Sequence, residues 1–222
     1  MNDYLNIPEE LFLLSINNAY GTTANMNTIA FQLALSGAIL MELSLREKID
    51  TDMERLIIAD TESTQSEELD MALNMMRLET GDSNANYWIT RLNEQHQSFV
   101  DVLLNSLIRK KILKIENKKV LWVFETLKYP LVNKEEVKDV KSRIKELIMS
   151  DELPELHDMV IVSLLHYSGL FHLVMGKRES KHYEERIEAI AKMDMLGQSI
   201  GQRLKLEIEM ALEKVKTEQA LL

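Results

Sequence analysis

The sequence has no cysteine, only three prolines and only seven glycines in 222 residues. Without cysteine there is no disulfide, no thiolate metal ligand and no cysteine nucleophile. With so little proline and glycine, turns are scarce and helices should dominate. Long hydrophobic runs are also missing. The best candidate, Ile29 to Met41, contains Gln32, Ser36 and Gly37 and then meets Glu42. It falls short of the roughly 18–20 apolar residues of a membrane span and reads as a helix buried in a globular core. The opening MNDYLNIPEE lacks the basic region of a signal peptide and leads only into a short apolar run, Leu11 to Ile16. The expectation is a cytoplasmic chain, peripheral to a membrane at most.

Catalytic patterns are missing too. There is no GxxxxGK[ST], no GxGxxG and no GxSxG. The five histidines form no HExxH and no i, i+4 pair. His166 and His172, six apart on one predicted helix, point roughly 240° away from each other, so they do not share a metal. Glu42 interrupts an apolar face. It reads as a hydrogen-bonded or rim carboxylate, or alternatively as an acid tuned by burial. Leu35-Ser36-Gly37 reads as a close helix contact, and the GQSIG around Gly197 and Gly201 as a helix–helix connection. The expectation is no catalytic residue, no metal, no cofactor and no enzymatic activity.

What the chain does have is helical periodicity, and an apolar fraction of 45% that suffices for a sizeable core in one domain spanning 1–222. Its 13 methionines fit as core filler. Predicted helices run from Pro8 to about Asn18, from a cap at Asn25 or Asn27 to about Glu47, and over Glu67–Glu79, Asn84–Asn93 and Ser98–Lys111. Further helices follow over Lys134–Met149, His157–Met175, Glu179–Leu196 and Ser199–Lys216. Lys48–Asp60 reads as a small hairpin or an extended segment. Ile112 to Phe124, ILKIENKKVLWVF, reads as a β-hairpin turning at Glu116-Asn117-Lys118 and spanning about 112–126. The fold class is mainly α, a compact helical bundle with this small hairpin module at 112–131.

Net charge is −10, which argues against general nucleic-acid binding. The charge is uneven. Residues 109–145 hold 12 basic against 5 acidic side chains, so the rest of the chain carries −17. Arg109, Lys110, Lys111 and Lys114 form a basic surface beside the hairpin. Lys118, Lys119, Leu121, Trp122, Val123 and Phe124 belong to the hairpin itself. Alternation puts Val120, Trp122 and Phe124 on one face and Leu121 and Val123 on the other. A basic, aromatic hairpin suits an anionic membrane, or alternatively a protein partner or a second copy of the chain.

Several segments, in order, resemble the Golgi phosphoprotein 3 family of phosphoinositide-binding peripheral membrane proteins. They are LFLL at 11–14, then Leu35, Gly37 and LMELSLR at 40–46, Trp88-Ile89, LIRKKIL at 107–113, Leu121–Phe124, Tyr129-Pro130-Leu131, and IVSLLHYS at 161–168. The match spans residues 10–175, and the last 45 residues match poorly. The resemblance implies a mostly helical single domain without catalysis, and a hydrophobic hairpin for membrane contact or self-association. In eukaryotic members a Trp and three Arg grip the phosphatidylinositol 4-phosphate head group. Ungapped placement puts the Trp at Asn27, one Arg at Ser36 and the other two near Leu153 and Leu156, so none of the four is retained. The resemblance is therefore to a divergent, bacterial-type member. The expectation is an anionic membrane or phosphoinositide-like lipid as partner, no nucleic acid, and a homo-oligomer as a further partner arrangement. The alternative is a soluble protein-interaction scaffold that binds no lipid.

Overall fold

The computed structural model describes residues 5–16, 28–52, 55–79, 84–114, 116–120, 124–128, 131–132, 134–193 and 195–220. In strands Glu116–Val120 and Phe124–Lys128 it describes the backbone. Among these residues the chain is mainly α, with ten α-helices and two small antiparallel hairpins.

Helix α1 (Ile7–Ser15) begins at a reciprocal cap. The Asn6 carboxamide accepts from the Glu9 backbone N–H, and the Glu9 carboxylate accepts from the Asn6 N–H. Every residue of α1 is buried. Helix α2 (Ile29–Leu45) is capped by Thr28, whose hydroxyl accepts from Phe31 N–H, so neither Asn25 nor Asn27 is the cap. It is apolar on all sides and buried from Leu33 to Leu43, as a helix surrounded by others must be. Helices α1, α4 (Ala85–Asn93), α7 (Leu156–Tyr167) and α10 (Met195–Ala220) pack around it. The buried apolar side chains form one cluster from Leu5 to Ile208.

Helices α3 (Glu67–Leu78), α5 (His96–Arg109) and α6 (Lys134–Met149) complete the body, within two residues of the sequence expectation. Between α2 and α3, β1 (Ile49–Asp52) pairs with β2 (Arg55–Ile58), the small hairpin expected there. Later, β3 (Glu116–Val120) pairs with β4 (Phe124–Lys128).

Four expectations need correction. First, Glu116-Asn117-Lys118 is strand, not turn. Glu116 pairs with Lys128 and Val120 with Phe124, so the connection is 121–123. The polar trio misled because strand pairing is made by the backbone and polar side chains do not prevent it. Second, the helix expected over His157–Met175 stops at Tyr167. Gly169 takes φ 70°, its N–H donates to His166 O at 3.2 Å, and Leu170 N–H donates to Leu165 O at 2.9 Å. That pair of bonds closes a helix on a left-handed residue, which glycine adopts without penalty. A 3-10 turn (Phe171–Leu173) follows. Third, the expected Glu179–Leu196 helix is two, α8 (Lys177–His182) and α9 (Glu184–Ala191), with the break at Tyr183. Fourth, Gly197 and Gly201 lie inside α10, not between helices. A Cβ at Gly201 would sit 2.2 Å from Tyr167 Cδ2, so the glycine is there to let α10 press against α7. The pattern Ile200, Leu204, Ile208 gives α10 its buried stripe, while Leu206, Met210 and Leu212 are exposed.

Candidate functional site

Two charged arrangements meet near α1 and the end of α5. The first is a buried set of carboxylates. Glu9, Glu10, Glu42, Glu68 and Asp158 are all buried. Each would be costly to bury alone, and each has donors. Glu9 accepts from Ser106 Oγ at 2.8 Å and Lys110 Nζ at 2.7 Å. Glu10 accepts from Arg143 Nη2 at 2.6 Å, and Arg143 Nε donates to Asp158 at 2.8 Å. Glu42 accepts from Arg46 Nε at 2.6 Å and from the free Ile7 N–H at the start of α1 at 2.9 Å. Glu68 accepts from Asn6 Nδ2 at 2.5 Å and Ser66 Oγ at 3.0 Å.

These bonds tie α1 to α2, α3, α5, α6 and α7. Burial pushes the Glu68 carboxyl above the ordinary range, despite its hydrogen bonds. For His157, burial pulls the pKa down, but the hydrogen bond and charge of Glu10 outweigh it, so the ring holds its proton more firmly than usual. Glu42 is thus a hydrogen-bonded carboxylate holding two helices together. His166 lies elsewhere, half-buried at the end of α7, so the two do not share a site. Among the described residues no group of three or more His, Asp or Glu could hold a metal ion.

The second arrangement is the basic stretch, and the first partly consumes it. Lys110 is held by buried Glu9, Arg143 by Glu10 and Asp158, Lys145 by Glu179, Arg109 by Glu67 at 3.1 Å, and Lys138 by Glu135. Burial lowers the Lys141 pKa. Among the described residues, at least five cations of the stretch therefore already face acids of the same chain. Sequence reasoning missed this because the partners are 42 to 133 residues away for three of them.

Lys111 and Lys114 are exposed beyond the end of α5. Lys111 sits at φ 60°, closing α5 as Gly169 closes α7. Its N–H donates to Ile108 O and Ile112 N–H donates to Leu107 O, both at 2.9 Å. From there the chain enters the hairpin through buried Ile112 and Leu113. Val132 N–H donates to Ile112 O at 2.8 Å, and Leu113 bridges Leu131 in the register that β3 and β4 continue. The ladder shares the register of the core bridge Leu113–Leu131 and forms an arm whose paired strands run about 13 Å from Glu116–Lys128 to Val120–Phe124. Beyond its root, β3 and β4 pair chiefly with each other. Lys118 stands opposite Thr126 and Lys119 opposite Glu125. Leu121, Trp122 and Val123 lie outside the described residues, as does Asn27.

A family model for Golgi phosphoprotein 3 matches residues 7–206. The chain belongs to this family. The match runs from the first residue of α1 well into α10, beyond the region ending at 175 that the sequence motifs suggested. A comparison with curated proteins gives no match. Within the Golgi phosphoprotein 3 fold of this chain, three of the expected head-group positions lie on described residues and differ in exposure. Ser36 is 3% exposed in the middle of α2, its hydroxyl turned to Gln32 O, whereas Leu153 is 86% exposed before α7 and Leu156 is exposed at its start. Asp151, Glu152 and Glu155 flank those leucines. No helix among the described residues is long and apolar enough to cross a membrane.

Proposed function

We propose that this member of the Golgi phosphoprotein 3 family is a non-enzymatic peripheral membrane protein that binds anionic lipid head groups through the hairpin arm and the lysines at its root. The observation that carries the reading is the arm, a ladder anchored in the core at Leu113–Leu131 whose outer part pairs chiefly with itself. The family's known phosphoinositide binding supports it. So does the sequence of the arm's outer end, KKVLWVF, which joins two cations to five apolar residues. Burying Trp122 and Phe124 in lipid would contribute about 2–3 kcal/mol each. Each lysine near an anionic surface adds about 1 kcal/mol. Lys111, Lys114, Lys118 and Lys119 together are then comparable with the two aromatics, and the sum suits reversible binding. The head-group contact on this reading belongs to the arm and its root, not to Ser36, Leu153 and Leu156.

The test is co-sedimentation with anionic liposomes. Trp122→Ala with Phe124→Ala should weaken binding at least about tenfold, since 1.4 kcal/mol is a factor of ten. Unchanged binding in that double variant would sink the reading.

A further inference from the structure

An open pocket of about 330 Å³ lies away from the arm and the buried carboxylates, between the end of α7, the 3-10 turn, α8 and the start of α9. Its floor is apolar: Leu165, Phe171 and Ile187 are buried. Its rim is cationic. Lys177 and Lys181 stand one turn apart on α8, both exposed, and neither makes an ion pair with a described residue. His166 and His172 join them, and Glu184 is the one acid of the lining. The glycine turn at Gly169 breaks the helix between the two histidines and brings to one pocket two rings that an unbroken helix would hold apart. In a chain of net charge −10, such a rim selects for anions. The volume is that of a small ligand.

We propose that this pocket is a proton-linked site for a small phosphate-bearing ligand. Two lysine ammonium groups give point charges suited to phosphate oxygens. His166 adds the proton link, and His172 adds a ring nitrogen to the rim. His172 Nδ1 lies 3.3 Å from Gly169 O. With Nδ1 turned to that carbonyl, Nε2 is the ring nitrogen left to face a ligand. Burial holds His166 below its ordinary pKa. Glu188 and Glu184 of α9 oppose that shift, while Lys205 of α10 and Lys192 reinforce it. The rim therefore holds two lysine charges against Glu184, and protonation of His166 adds a further positive charge. No residue of the arm takes part, so this site and the proposed membrane contact stand or fall separately.

The experiment is calorimetric titration of the full chain with glycerol 3-phosphate at about pH 6. Saturable binding is expected, at least about tenfold weaker in Lys177→Gln/Lys181→Gln, and unchanged in Trp122→Ala/Phe124→Ala. Both lysines are exposed, so the variant should fold, which circular dichroism checks. Absence of saturable binding at millimolar ligand, or equal affinity in the lysine variant, overturns the site. Sulfate, whose charge is constant in this range, should bind more tightly at about pH 6 than at about pH 8, and equal affinity overturns the proton link. Competition by phosphatidic acid vesicles would assign the phosphate to a lipid head group, and lack of competition would assign it to a free phosphate ester.

Discussion

Glu68 shows how a single buried carboxylate works against the fold that holds it. Burial raises its pKa, its own backbone N–H, Asn6 and Ser66 pull it down, and the charge of Glu9 raises it further. The folded-state value lies above the unfolded one. Its stabilising contribution is therefore full below the unfolded pKa and is lost as pH rises through the folded one. Ionising it leaves a desolvated charge with no cation among its described hydrogen-bond partners. Glu68→Gln keeps an acceptor for Asn6 and Ser66 and removes the charge. It should raise the melting temperature by about 2–4 °C near neutral pH, with the gain shrinking toward about pH 4. Thermal unfolding followed by circular dichroism at the two pH values checks this. A lower melting temperature at neutral pH would show that the charge itself is needed there.

At the level of elements, helix ends decide more than helix faces. Lys111 closes α5 at φ 60°, a conformation that costs a side-chain-bearing residue about 1 kcal/mol relative to glycine. Lys111→Gly should therefore stabilise the fold by about that much. If Lys111 also faces the membrane, the same change should weaken binding to anionic vesicles about fivefold, from the loss of about 1 kcal/mol. Denaturant unfolding and liposome co-sedimentation on one variant test both. Greater stability with undiminished vesicle binding would remove Lys111 from the contact.

Helix ends also explain what sequence reading reached. Glu67–Leu78, Ala85–Asn93 and Lys134–Met149 were legible because apolar periodicity and polar boundaries agree. The stop at Tyr167 was not, because Leu170, Phe171 and Leu173 keep the segment apolar past Gly169 and only the bonds to Leu165 and His166 end the helix. That one miss hid the meeting of His166 with His172. The basic stretch and the hairpin were legible as candidate surfaces, but the pairing of Lys110 with Glu9 and of Arg143 with Glu10 depends on contacts no local pattern encodes.

For the whole molecule, the charge that matters is what remains after internal pairing. With Arg109, Lys110, Lys138, Arg143 and Lys145 engaged by the chain's own acids, the +7 of the stretch overstates the field available to a membrane. The charge that the stretch presents outward acts within about 8 Å at physiological salt. Co-sedimentation with anionic vesicles should therefore fall as salt rises but level off at a residue of binding carried by the aromatics, and neutral vesicles should retain only that residue. Equal binding to neutral and anionic vesicles at low salt would take the lysines out of the interaction. The arm has one further consequence. Its root is locked at Leu113–Leu131, while its outer pairs lean chiefly on one another, so change there is nearly silent for the helical body. In evolutionary terms the arm is a cassette. Its residues can be exchanged or recharged without renegotiating the packing that the helical body must achieve to fold.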